Sequence, residues 1–146
     1  MTKKPQVSEK SDKGNGKVPQ FLLGLFQLLF DTEIMQMMAD YTITYAQQKG
    51  AHTFSVISEE MTGCLGILLA PSCVVMPSRK IYWEQVEDVK IDGISTAMSR
   101  NRFEEILQYL HFSDNTKLAV GDKFAKVRPL LVQLNERFLL YNLAIY

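Results

Sequence analysis

The stretch AMSRNRFEEILQYLHFSDN, residues 97–115, decides how this chain is read. Ser99 stands where a helix N-cap belongs, with a hydroxyl able to accept from a free amide of the first turn. Phe103, Ile106, Leu107 and Leu110 then recur at i, i+3, i+4 and i+7, the spacing that lines up one face of an α-helix. Glu104, Glu105 and Gln108 fall on the opposite face and point to water. His111 ends the helix as a partly exposed imidazole. FSDNTK (112–117) is a loop, built from turn-forming Ser, Asp and Asn. The pattern predicts an amphipathic helix that has to bury its stripe against other helices.

The flanking sequence supplies those partners. Towards the C-terminus, GDKFAKVRPLLVQLNERFLLYN (121–142) holds Pro129, which suits a first helical turn and no later one. A helix is predicted from Val127 to Tyr141, with Leu130, Leu131, Leu134 and Phe138 inward. Towards the N-terminus, PSRKIYWEQVED (77–88) is a loop or short turn that Trp83 anchors to the core. A short helix follows it, from Val86 or Asp88 to Ala97. Ser58 is the expected N-cap of a helix with Glu59 and Glu60 against its positive end. Met61, Cys64, Leu65, Leu68 and Leu69 share one face of that helix, which stops near Pro71. Gly63 and Gly66 suggest close approach of a neighbouring helix. FLLGLFQLLF (21–30) gives a first short helix, with Phe21, Leu22, Leu25, Phe26 and Leu29 at helical spacing. It breaks near Asp31. Asp31 or Thr32 then caps a second helix running to Gln48, with Ile34, Met37, Met38, Tyr41 and Tyr45 inward and Gly50 past its end. No strand-period alternation and no internal repeat appears. The fold class is all-α, with five or six helices.

Apolar residues make up 47% of the 146, enough for one domain with a real core. The formal net charge is zero, so overall charge argues for neither nucleic acid nor membrane. Residues 1–19 carry Lys3, Lys4, Lys10, Lys13 and Lys17 against Glu9 and Asp12, with almost nothing apolar. They read as a disordered basic tail, which can be plain solvated chain or a nucleic-acid contact. Residues 20–146 form the helical domain. Cys64 and Cys73 are the only cysteines and show no C-x-x-C spacing, so they read as free thiols rather than zinc ligands. No targeting segment stands out. The 21–30 run falls short of the ~20 residues a membrane span needs, so no membrane is expected.

Enzyme motifs are not found. There is no G-x-S-x-G, phosphate loop, H-E-x-x-H or dinucleotide fingerprint, and the adjacent acids of FEEILQ do not converge on a point. The basic candidates are Arg79, Lys80, Arg100, Arg102, Lys123, Lys126, Arg128 and Arg137. Arg100 and Arg102 stand on the first turn of the opening helix, where backbone amides can join them in holding a phosphate. Lys123, Lys126 and Arg128 cluster before the last helix. A mixed-charge surface of ion pairs explains the same residues equally well. Nothing predicts base-specific readout.

The opening stretch resembles the N-terminal half of piggyBac-type transposases and the domesticated proteins derived from them. LFDTEIMQMMADYTITYAQQK (29–49) is similar to the family's opening helices. ISEEMTGCLGILLAPSCVVMPSRKIYWE (57–84) is similar to its GILL-type helix and Tyr-Trp loop. DKFAKVRPLLVQLNERF (122–138) is similar to its K-x-R-P-L helix. These segments run in the family's order over residues 21–140, although APSCVVMPSRK is less regular than the Gly-rich link expected there.

The resemblance implies a helical dimerisation and DNA-binding domain ahead of a ribonuclease-H-like catalytic domain, whose aspartates hold divalent metal. In the family the first such aspartate lies beyond the LNERF helix, and Asp114 and Asp122 do not match it. The expectation is therefore a catalytically inactive, truncated fragment with no cofactor and no metal site. Segments that complete the family's helical domain lie further along the chain, so some apolar faces should stand exposed. The implied partners are DNA, bound weakly and without sequence preference, and a second copy or a full-length piggyBac-type relative. DNA phosphate would fall to Arg100, Arg102, Lys123, Lys126 and Arg128. A helical protein–protein module without DNA is the alternative. The family's business with DNA implies a nuclear location.

Overall fold

The computed structural model describes residues 20–69, 78–84 and 94–141. Among them are six α-helices: α1 (Gln20–Leu29), α2 (Thr32–Gln48), α3 (Ser58–Leu69), α4 (Ile94–Ala97), α5 (Arg100–Tyr109) and α6 (Arg128–Leu140). Two 3-10 turns, Arg79–Trp83 and Asn115–Lys117, complete the regular structure, and no strand occurs among the described residues. The fold is all-α. The basic tail, Cys73, the Pro71 stop and the start of the helix before Ala97 lie outside the described residues.

α2 is the central helix: α3, α5 and α6 all pack on it, and α1 packs on α6. The break between α1 and α2 is made by Asp31, in extended conformation, whose carboxylate accepts from the Ile34 amide at 3.0 Å. Asp31, not Thr32, is thus the cap. The far end of α2 closes on Gly50, whose φ of +86° is costly for any residue with a Cβ.

The face α2 buries is rotated from the expected one. Ile34, Met35, Met38, Ala39, Thr42 and Ala46 are buried, while Met37, Tyr41 and Tyr45 lie at the rim. Small side chains at 39, 42 and 46 leave room for helices on both sides. Thr42 satisfies its hydroxyl within the core by donating to the Met38 carbonyl at 2.7 Å, and it also accepts from the His111 amide at 3.3 Å. Tyr45 instead stacks on the His111 ring, 3.5 Å between centroids.

In α3, Met61, Cys64 and Ile67 face the core. Leu65 and Leu68 are half-buried and Leu69 is exposed, so the expected face is again turned. Ser58 is not the N-cap. It already lies in the helix and donates to Glu59, while Glu60 reaches back to accept from the Ile57 amide at 3.3 Å. The two glycines do not mark a close helix approach. A Cβ on Gly66 would meet nothing within 4 Å, and one on Gly63 would make an ordinary 3.7 Å contact with Met98.

Trp83 anchors its turn as expected: Nε1 donates to the Met98 carbonyl at 2.9 Å and the ring lies 5.3 Å from that of Phe103. Ser99 caps α5 by accepting from the Arg102 amide at 3.3 Å, and Phe103 and Ile106 are buried. α6 departs most from its sequence pattern. Leu130, Leu134 and Phe138 are only half-buried and Leu131 is exposed, whereas the buried residue of the helix is Arg137.

Candidate nucleic-acid interface

The five cations expected to hold phosphate sit on two elements. Arg100 and Arg102 open α5, Lys123 and Lys126 belong to the turn that enters α6, and Arg128 is the first residue of α6. Their surroundings separate them sharply.

Arg102 is wrapped by protein. Nε and Nη2 donate to the two carboxylate oxygens of Glu60 at 2.9 Å each, and Nη1 donates to Glu105 at 2.7 Å. Nη2 also reaches the Ser55 carbonyl at 2.6 Å, and the guanidinium lies 5.5 Å from the centre of the Phe54 ring. The hydrogen bonds from Arg102 hold the Glu60 carboxyl below its ordinary value, against the opposing effect of burial. This arginine ties α5 to α3 and to the 55–57 segment. It is a structural tie, and a phosphate would have to break up four hydrogen bonds to use it.

Arg100 donates to Glu104 at 3.0 Å, one turn on in the same helix, with both side chains about half exposed. Such a pair is worth little and exchanges readily for another anion. Arg128 makes a two-pronged pair with Asp122, at 2.8 and 2.6 Å, and lies 5.8 Å from the centre of the Phe124 ring. Lys123 and Lys126 are exposed and have no hydrogen bond or ion pair among the described residues. Arg79 and Lys80, on the 3-10 turn beside Trp83, are likewise exposed, and their side chains make no ion pair among those residues. Adjacent basic residues just before a Tyr-Trp pair were the visible sequence feature for that second cationic spot.

Asp114 and Asp122 are occupied by the fold. Asp114 accepts from the Thr116 amide at 2.9 Å, from its hydroxyl at 2.7 Å and from Gln48 at 3.0 Å. The Thr116 amide leads in holding its carboxyl below the ordinary value. Asp122 caps the turn by accepting from the Phe124 amide at 2.9 Å while it holds Arg128, and the Arg128 hydrogen bond chiefly lowers its carboxyl. Among the described residues no three His, Cys, Asp or Glu side chains are gathered to hold a metal ion. No helix there is long and apolar enough to cross a membrane.

A cleft of about 640 Å³ opens between α2, the 113–125 segment and the start of α6. Met37, Tyr41, Leu118 and Val132 form its walls, with the Asp122–Arg128 pair at its edge. Ser113, 5% exposed, also lines it, and its hydroxyl has no partner.

Residues 23–142 match the family model described as Transposase IS4. The human PiggyBac transposable element-derived protein 2 is 39% identical over 116 residues, covering 80% of this chain and 19% of that protein. The human PiggyBac transposable element-derived protein 3 is 41% identical over 113 residues, covering 77% of this chain and 19% of that protein. The chain belongs to the piggyBac-type transposase family. This piggyBac-type chain spans about a fifth of the length of the curated relatives it matches. No solved structure matches it. The match begins and ends within a few residues of α1 and α6, so the helices described above are the shared part.

Proposed function

We propose that this piggyBac-type chain is a catalytically inactive helical fragment that binds the DNA backbone weakly and without sequence preference. The observation that carries this is the cationic turn entering α6, where Lys123 and Lys126 stand exposed with no carboxylate partner among the described residues. A bare, exposed ammonium gains a phosphate at little cost, and each such contact releases counterions. Arg100 and Arg128 contribute only by giving up their carboxylates, and Arg102 does not contribute. Two-metal strand transfer needs several carboxylates around metal ions about 4 Å apart. Asp114 and Asp122, the acids of the segment that leads into the last helix, are instead spent on caps and ion pairs. A nuclear location goes with this reading.

Fluorescence anisotropy with a labelled duplex, at about 50 and 200 mM salt, tests it. Affinity should fall steeply with salt, and Lys123→Ala and Lys126→Ala should each reduce the salt slope by about 1. Arg102→Ala should act only through stability. Binding indifferent to salt would sink the DNA reading, and nicking of supercoiled DNA with Mg²⁺ or Mn²⁺ would sink the inactive one.

A second reading rests on a different observation. Leu131, Val132, Leu139, Leu140 and Tyr141 of the α6 segment, and Leu23 and Leu28 of α1, are large apolar residues left exposed on two helices that pack together. A helical interaction module, pairing with a second copy or with a longer relative, would cover them. Light scattering across a concentration series separates the two: a monomer at all concentrations counts against self-pairing.

A further inference from the structure

We infer that α6 is a strap, closed over α1 and the start of α2 by one buried guanidinium, which opens ahead of the α2–α3–α5 core. The inference is independent of whether DNA binds. Arg137 is 7% exposed and is the one buried residue of α6. Its Nε donates to Asp31 at 3.1 Å, and its Nη2 donates to Asp31 at 3.2 Å and to Glu33 at 2.8 Å. Nη1 donates to the Gln133 side chain one turn back, and Glu136 lies 3.8 Å away. These are the charged groups around it: Asp31 from the α1–α2 joint, Glu33 from α2, and Glu136 from α6 itself. α1 has no titratable side chain.

The apolar hold on α6 is thin by comparison. Leu130 and Leu134 reach the core only as half-buried side chains, and Leu131, Val132, Leu139 and Leu140 face outward. α3 and α5, by contrast, place Met61, Cys64, Ile67, Phe103 and Ile106 at 2% exposure or less. Elements with little apolar burial open locally at lower free energy than the core. α6 is also tied to α5 by residues 110–127, whose regular structure is one 3-10 turn, so nothing stiff transmits the core's stability to it.

Asp31 makes the latch testable because it does two jobs. It caps α2 through the Ile34 amide and receives Arg137. Asparagine caps as well as aspartate does, but it carries no charge for the guanidinium. Asp31→Asn therefore releases the strap while leaving the cap.

The experiment is native-state hydrogen exchange, resolved by segment, on the full 146-residue chain. In the unsubstituted protein, α6 amides should exchange faster than those of α2, α3 and α5. Asp31→Asn and Arg137→Gln should each speed α6 exchange by a further tenfold or so, the effect of losing a charge-assisted hydrogen bond, with α3 and α5 unchanged. Uniform exchange across all the helices, slow or fast, would overturn the inference. So would both substitutions accelerating the core and α6 together.

Discussion

Replacing Arg102 with Met should cost about 1–3 kcal/mol, read as a lower urea midpoint at unchanged m-value. The loss arises because Glu60 would stay part-buried without its guanidinium, and the Ser55 carbonyl would lose its donor. The same pair fixes a pH dependence. Glu60 has a depressed carboxyl in the fold, so its contribution is fully present above the ordinary value of 4.5 and drains away as pH falls through the lower folded value. Asp31 follows the same sign: burial pushes its carboxyl up, but Arg137 and the Ile34 amide together outweigh that and leave it below 3.8. Melting temperature should hold level from neutral pH to about pH 5 and drop below that, and the drop should shrink in Arg102→Met. Cys64 behaves oppositely. Burial pushes its thiol up to about 11, so iodoacetamide at pH 8 should leave it unmodified until denaturant is added, as peptide mass spectrometry would show. At this scale the sequence was a fair guide to residue type and a poor one to partner. Arg102 and Lys126 look equally available as letters. Only the fold brings Glu60 and Ser55, more than forty positions away, around one and leaves the other bare.

The helices were legible because their punctuation is chemical. Asp31, Gly50, Ser99 and Pro129 each do locally what their residue type is suited to do, and the elements start or stop beside them. Which way a helix faces is decided by its neighbours. On α2 the large Met37, Tyr41 and Tyr45 looked like the core stripe, yet Ala39, Thr42 and Ala46 take the inside because helices approach there from two sides. Ala39→Leu should therefore destabilise by about 1–3 kcal/mol, whereas Met37→Leu at the rim should change little; thermal melts of the two variants check this. On α3 the cap was misplaced because Ser58 and Glu60 both suit a helix start, and the glutamate won by bonding the Ile57 amide. Asp31→Ala removes the cap as well as the Arg137 contact, so it should cost more than Asp31→Asn by about 1 kcal/mol.

Taken whole, the molecule has a dry centre made by α2, α3 and α5 and a looser outer layer of α1 and α6. That layer carries most of the large exposed apolar side chains. Leu139→Lys with Leu140→Lys should leave stability within about 0.5 kcal/mol, since neither side chain is buried and cations suit a helix C-terminus. Scattering should then show any self-association reduced. The family was readable from ordered motifs because those motifs are core residues and caps, which the fold constrains. The cations of the candidate interface, Lys123 and Lys126 among them, were readable too, but not which of them stand bare, because a lysine gains its meaning from the absence of a nearby acid, and spacing does not encode that.

The chain's single tryptophan settles how all of this can be watched. Trp83 is fastened to the Met98 carbonyl and packed against Phe103, on the α5 side of the molecule. Its emission is therefore a private report from that corner. An intrinsic-fluorescence melt would trace the loosening of the corner and stay blind to α6, while backbone ellipticity would register both. If the two curves separate, with ellipticity leading, the disagreement between probes is itself the record of an outer helix leaving first.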